Sequence, residues 1–388
     1  NPLDVINKAL KGGDDEEAVR QAWELGNMMA WSKGGGTDPI WPQAEESLIA
    51  ALFLAVSTEA PEDQKHPTSA YTMLMELGMN GGEALDEYFA HLSNGHPAKM
   101  AYGTAGLSES RTRSSIYTGT AAHLRLFSEN GIGWLCAESD HNPQDAGKKS
   151  TAIFLLLPDE AGARRDIAAM YVNQAYSLLA QLARNSGGKL PIPVWFLLDE
   201  FANIGRVPNL PEKLTVSAGR NIRFVMAVQS LAQLEHVYGK KEAEILQGNC
   251  DTWLYLRTSD IETAQVISRM TGTFTVRTKS MQRRKGDVSE SEGTTSRYLL
   301  TPDEILRWQM GQSLLLQPGQ FPARLPLQDL SEWKEATANF KLYEFSEICN
   351  VEKIKTWVPE VNIQKEDIEK LTKKEQSNTA NILNDLSF

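Results

Sequence analysis

Cysteine is scarce in this chain of 388 residues: Cys136, Cys250 and Cys349 are odd in number and far apart. That usage excludes a disulfide-stapled scaffold and a cysteine-ligated metal, and it favours a reducing compartment. The six histidines show no ligand spacing. Long apolar runs are missing too. The longest, Leu48 to Val56, falls short of the ~20 residues that cross a bilayer, and the opening residues carry no basic-then-apolar leader pattern. Positive charge is in deficit, with 39 Lys and Arg against 50 Asp and Glu, a net −11. Such a body repels nucleic acid, so any contact with DNA needs a local basic patch. Finally, no Gly-x-x-x-x-Gly-Lys-Ser/Thr loop occurs. The nearest approach, Asp145-Ala146-Gly147-Lys148-Lys149-Ser150-Thr151, has Asn142 for the leading glycine and Lys149 for the Ser/Thr. It also precedes an apolar run, whereas a phosphate loop follows a strand and opens a helix. It reads as a solvated turn.

What is present falls into distinct regions. From about residue 14 the chain reads as helical: Glu16–Trp31, Gln43–Ser57, Ser69–Leu77 and Ser114–Phe127 carry apolar residues at three- and four-residue spacing. From about 150 the grammar changes to short apolar strands alternating with helices. Strands are expected at Thr151–Leu157, Val194–Leu198, Ile222–Val228, Thr252–Arg257 and Ser313–Gln317. Helices are expected at Arg164–Arg184, Leu210–Ala218, Glu242–Gln247 and Ile261–Met270. That alternation argues a doubly wound α/β sheet with both faces covered. Residues 276–297 form a charged, Ser/Thr-rich excursion, and a polar tail follows residue 333, with one amphipathic helix expected at Lys365–Leu371.

The chemistry concentrates where the apolar run Val194-Trp195-Phe196-Leu197-Leu198 closes in Asp199-Glu200. Open α/β sheets bind ligands at the carboxyl ends of their strands. A hydrophobic strand ending in Asp-Glu is the pattern of a Walker B segment, in which the Asp holds the Mg²⁺ shell of a nucleotide and the Glu polarises the attacking water. The competing reading is a strand that ends in an acidic turn. Adjacent strand residues point to opposite faces, so the two carboxylates can share a site only where the chain turns.

The surrounding residues narrow the choice. Leu197-Leu198-Asp199-Glu200-Phe201-Ala202-Asn203-Ile204-Gly205 with Pro208 resembles the Walker B signature of the type IV secretion coupling proteins, the TraG/TraD-like DNA-transfer motors of conjugation. Asp38-Pro39-Ile40-Trp41 resembles a signature in their helical domain. Ala218-Gly219-Arg220-Asn221, then Val228-Gln229-Ser230-Leu231-Ala232-Gln233-Leu234 and Tyr238-Gly239, resemble their arginine and sensor-glutamine blocks. Asn249-Cys250, Glu262-Thr263-Ala264 and Leu299-Leu300-Thr301-Pro302-Asp303-Glu304 fall in the expected order. The likeness covers roughly residues 1–330, and its wording is nearest to coupling proteins of Gram-positive conjugative elements.

The resemblance implies a RecA-like P-loop NTPase-type parallel sheet with an inserted all-α domain. Residues 1–13 would end the early motor segment, 14–149 form the all-α substrate-recruitment domain, 150–332 carry the Walker B part of the nucleotide-binding domain, and 333–388 form the tail. The family's membrane anchor and Walker A loop would lie upstream, making this chain a piece that starts after them. ATP and Mg²⁺ are the implied cofactors. Asp199 would bind Mg²⁺ through water, Glu200 would orient the hydrolytic water, Gln229 would read the γ-phosphate, and Arg220 would act in trans across a subunit boundary. Arg206 and Arg257 compete with Arg220 for that work. Each has a plainer alternative, a turn-capping glutamine for Gln229 and a surface arginine for Arg220. Arg277, Lys279, Arg283, Arg284 and Lys285 are candidates to line a channel and follow a phosphate backbone, against the plainer reading of a solvated loop.

The function implied is a coupling ATPase at the cytoplasmic face of the bacterial membrane. Working as a homo-hexamer, it would recruit relaxase–DNA substrates to a type IV secretion channel and drive single-stranded DNA through it. The alternatives are a substrate-receptor module without a competent nucleotide site and another kind of RecA-like DNA motor.

Overall fold

The computed structural model describes residues 1–31, 40–108, 110–158, 162–284, 287–327, 329–333 and 351–361. Asp38, Pro39, Lys285 and the helix expected at Lys365–Leu371 lie outside the described residues. The chain divides into two compact units, one of residues 1–142, 162–164 and 349–388, the other of 143–161 and 165–348.

The first unit is helical: α1 (Asp4–Lys11), α2 (Asp15–Ala30), α3 (Ile40–Glu59), α4 (Pro67–Leu77), α5 (Glu83–His91), α6 (Pro97–Gly106), α7 (Ser110–Leu124) and α8 (Asn130–Leu135). Residues 47–57 of α3 are all buried, as a helix apolar on every side requires. It is the axis of the unit, and α1, α2, α4, α6 and α7 pack around it. Gly26 of α2 permits the close approach, because a Cβ there would sit 2.7 Å from the Glu46 carbonyl of α3. Asp14 caps α2 by accepting the Glu17 N–H at 3.0 Å. Residues 1–13, expected as the end of the motor segment, instead form α1 against α2 and α3. The apolar residues Leu3 and Ile6 are fully buried there, which ties this stretch to the helical core.

In the second unit α9 (Arg165–Asn185) covers a parallel pair, β1 (Val194–Leu198) and β2 (Ile222–Met226), registered from Val194↔Ile222 to Leu198↔Met226. Tyr176, Leu179, Ala180 and Ala183 of α9 form one core with Leu190, Ile222, Val194, Phe196 and Phe224. The rings of Phe196 and Phe224 stack at 4.8 Å. Between the strands lies α10 (Leu210–Ser217), and beyond them α11 (Leu231–Tyr238) and α12 (Lys240–Gly248). A second sheet is antiparallel, β3 (Trp253–Tyr255) pairing β6 (Gln312–Leu316), which pairs β7 (Ala323–Pro326). It packs on α13 (Ile261–Met270) and α14 (Pro302–Leu306) through Tyr255, Ala264, Ile267, Ile305, Leu314 and Leu316. The excursion is a long antiparallel ribbon, β4 (Thr273–Arg284) and β5 (Asp287–Tyr298).

Two expectations are corrected. Thr151–Leu157 is not a strand: among the described residues nothing pairs with it, and Phe154 and Leu156 are exposed. Extended backbone becomes a strand only when a neighbour supplies the ladder. The β1–β2 pair is covered on one face, with Trp195, Leu197, Arg223 and Val225 exposed on the other, where coverage of both was expected. Within the polar tail, residues 351–361 belong with the helical unit. The turn at Asp145 is as expected. The Lys148 and Lys149 N–H groups both donate to the Asp145 carbonyl at 2.9 Å, and Lys149 pairs with its carboxylate at 3.0 Å.

Candidate functional site

β1 delivers Asp199 and Glu200 to the carboxyl rim of the parallel pair, and the chain turns there. Glu200 adopts the left-handed conformation, φ 44° and ψ 48°, which costs a non-glycine residue roughly 1–2 kcal/mol. Its N–H donates to Asp199 Oδ1 at 3.0 Å, and a single 3₁₀ turn (Phe201–Asn203) follows. Pairing continues past both strands, Ala227 N–H donating to the Leu198 carbonyl at 3.0 Å and Phe201 N–H to the Ala227 carbonyl at 2.8 Å. This tie sets the segment after β2 beside the turn after β1.

The Glu200 carboxylate is held on both oxygens. Asn203 Nδ2 donates to Oε2 at 2.7 Å and Gln229 Nε2 to Oε1 at 3.3 Å. Gln233 Nε2 in turn donates to Gln229 Oε1 at 3.4 Å. Asp199 and Glu200 are exposed. A carboxylate fixed by two amide donors yet open to solvent is held in one orientation while staying within reach of water, as a group that must position a water requires. The described residues hold no group of three His, Cys, Asp or Glu able to bind a metal ion. Asp199, an exposed carboxylate at the rim, is the residue that could supply the single carboxylate a mostly hydrated Mg²⁺ takes.

Two members of this array escaped sequence reading. Asn203 stands three residues after Glu200 in the 3₁₀ turn, and Gln233 four after Gln229 in the first turns of α11. Spacing alone would have suggested both, had the left-handed turn at Glu200 been foreseen. Gly205 and Tyr238 brace the array. Gly205 has φ 90°, and a Cβ there would meet the Arg165 carbonyl of α9 at 3.3 Å. The Tyr238 hydroxyl accepts the Val207 N–H at 3.1 Å.

Arg220 is not brought to this rim. It lies in the turn before β2, at the opposite end of a strand whose five residues span roughly 16 Å. There its Nη1 donates to the Tyr176 hydroxyl at 3.2 Å. Arg206 is engaged by Glu242 at 2.6 Å and lies over the Tyr238 ring, whereas Arg257 is exposed two residues past β3. The basic candidates Arg277, Lys279, Arg283 and Arg284 all fall on β4. Between residues 273 and 298 six basic residues face three acidic ones, so the ribbon keeps positive charge on an acidic body. Some of it is neutralised locally, Lys279 pairing with Glu292 across the ribbon at 2.8 Å. Ile40 and Trp41 open α3, and Trp41 is 40% exposed.

A parallel β pair with an acidic carboxyl rim, in a unit separate from the helical one, is an α/β architecture with an appended all-helical domain. Solved structures share it. The bacterial conjugative coupling protein TrwBdeltaN70 in its sulphate complex aligns with a TM-score of 0.57 at 16% identity, over 79% of this chain and 68% of that one. TrwB in complex with ADP and Mg²⁺ aligns at 0.56 with the same identity. The family model for type IV secretory system conjugative DNA transfer matches residues 1–326, and the chain belongs to that family.

Among relatives, a conjugal transfer protein TraG of Escherichia coli is 26% identical over 331 residues, 79% of this chain and 51% of that protein. VirD4 of Rhizobium rhizogenes is 23% identical over 319 residues, 80% of this chain and 46% of that protein. The chain thus spans about half the length of the curated relatives it matches. Neither relative supports the expected affinity with Gram-positive elements.

Proposed function

We propose that this chain is the helical and Walker B portion of a coupling ATPase. The complete protein recruits relaxase–DNA substrates to a type IV secretion channel and drives single-stranded DNA through it as a hexamer at the cytoplasmic face of the membrane. The observation that carries the reading is the Glu200 carboxylate, fixed by Asn203 and Gln229 at the rim of a parallel pair. Family membership and the TrwB complexes with an ATP analogue and with ADP and Mg²⁺ support it.

Asp199 would hold Mg²⁺, which would neutralise charge on the phosphates of ATP, the substrate that supplies the phosphoryl group. Glu200 fixes the attacking water and takes its proton. Gln229, sharing a hydrogen bond with Glu200, couples that carboxylate to the γ-phosphate position. Arg220, remote from the rim of its own chain, acts in the site of a neighbouring subunit. The β4–β5 ribbon tracks phosphates by charge.

ATP turnover by the complete protein tests this. Glu200→Gln should keep nucleotide binding and lose turnover by about 10²–10⁴-fold, the usual worth of a positioned general base. Arg220→Ala should lose turnover only in the assembled state. Undiminished hydrolysis in Glu200→Gln would overturn the assignment. The chain alone, with no phosphate loop in its sequence, should be nearly inert.

A further inference from the structure

Among the described residues, the polar tail contributes a segment that nucleotide chemistry does not use. Residues 351–361, Val-Glu-Lys-Ile-Lys-Thr-Trp-Val-Pro-Glu-Val, run without helix or strand across the helical unit, far along the chain from the residues they touch between Asp63 and Gly133. The contacts are those of a bound peptide. His66 Nε2–H donates to the Lys355 carbonyl at 2.9 Å, and the Trp357 N–H donates to Ser69 Oγ at 3.1 Å. Two main-chain bonds, two residues apart, fix the register. Ile354 sits over Gly133 of α8, so close that a Cβ at that glycine would lie 3.1 Å from its Cδ1. The Trp357 indole meets the Tyr88 ring of α5 edge to face at 6.3 Å. Lys355 Nζ pairs with Asp63 at 3.1 Å. The groove therefore reads an apolar residue, a basic one, and an aromatic two positions later.

The receiving surface is not fully satisfied by this occupant. His66 Nδ1 and the Tyr88 hydroxyl, on the two residues that meet the strap's Lys355 carbonyl and Trp357 ring, are buried with no hydrogen-bond partner among the described residues. Burial pushes the Tyr88 phenol upward and holds the His66 imidazole below its usual value. Unpaired polar atoms on the residues that touch a peptide held by few bonds leave room for a better-matched ligand to displace it.

We propose that residues 351–361 are a tethered ligand occupying, in cis, a peptide-binding groove of the helical unit formed by Asp63, His66, Ser69, Tyr88 and Gly133. The partner it excludes is an extended peptide of the same pattern, apolar–basic–x–aromatic, carried on another protein. The strap is thus an autoinhibitory contact. A tether presents its ligand at about millimolar effective concentration, so only a partner of appreciable affinity, or one that first releases Trp357, gains the groove.

A fluorescent peptide of residues 351–361 added to the full chain tests this. The wild type, its groove filled, should bind weakly. Trp357→Ala, which removes the strap's aromatic anchor, should bind at least about tenfold tighter, because apparent affinity scales with the fraction of open groove. Ile354→Asp should do the same, so a folding defect in one variant does not decide the result. The same peptide with alanine for its tryptophan should not compete. Equal binding to wild type and both variants would overturn the proposal, as would no binding to either variant. A concentration-dependent wild-type dimer, lost in Trp357→Ala, would assign the groove to a second copy's strap and overturn the in-cis reading.

Discussion

The two units bury apolar residues in different ways. In the helical unit α3 is enclosed on every side, and Phe53, Leu52 and Leu54 have essentially no exposure. In the other unit β1 and β2 alternate: Phe196 and Phe224 meet α9, while Trp195 and Leu197 stand 58% and 72% exposed. One unit closes a core with the residues it has. The other presents an apolar row that a parallel sheet of this kind normally covers. Independent stability and functional dependence are thus divided between the units, the rim of carboxylates and amides sitting on the less covered one.

The most severe way to break this comparison is Phe53→Ala. It should destabilise the helical unit by about 3–5 kcal/mol, because a fully enclosed ring leaves a cavity that helices on all sides cannot close. Thermal melting would measure it, and amide exchange would locate it. In the unaltered chain exchange should be slower across residues 40–59 than across 194–226; the reverse order would show that the sheet is complete as it stands.

A smaller effect sharpens the contrast. Leu197→Ser on the bare face should change the chain's stability by no more than about 0.5 kcal/mol, the usual range for exposed positions. The same substitution in the complete protein should cost more, if its additional chain covers that face. Equal, negligible effects in both would mean that the face stays open.

The smallest effect is in pH. Burial lowers the His66 pKa from 6.5, against the opposing pull of the Lys355 carbonyl and the nearby Asp63. A depressed histidine leaves the folded form unprotonated while the unfolded chain takes up a proton. Its contribution is therefore whole above pH 6.5 and declines as pH falls toward the folded value. Exchange protection at the Trp357 amide should weaken between pH 7 and pH 5, and His66→Gln should flatten that dependence.

How much was legible in the residues follows the same division. Val194–Leu198 and Ile261–Met270 have the bounds expected of them, because a proline-bounded β-branched and aromatic run and a capped amphipathic period are local signals. The β4–β5 ribbon was not visible as strands, since most of its residues are polar and the pairing between its two strands is what defines it. Thr151–Leu157 errs the other way: its apolar run is strand-like, but strand formation depends on a neighbour. Asp199, Glu200 and Gln229 were readable as a group by their order along the chain. Asn203 and Gln233 were not, because their place depends on a backbone turn that no spacing announces. The strap at 351–361 has no periodicity, and its meaning lies in residues far back in the sequence.

The left-handed backbone at Glu200 has an evolutionary side. A position with φ 44° chosen for folding alone would go to glycine or asparagine. Random drift under a requirement only to stay folded would therefore erode the carboxylate, and selection for heat resistance would do so faster. A laboratory lineage evolved from the complete protein under thermal pressure, without a demand for turnover, should accumulate Glu200→Gly or Glu200→Asn early. Such a protein would be sturdier and silent.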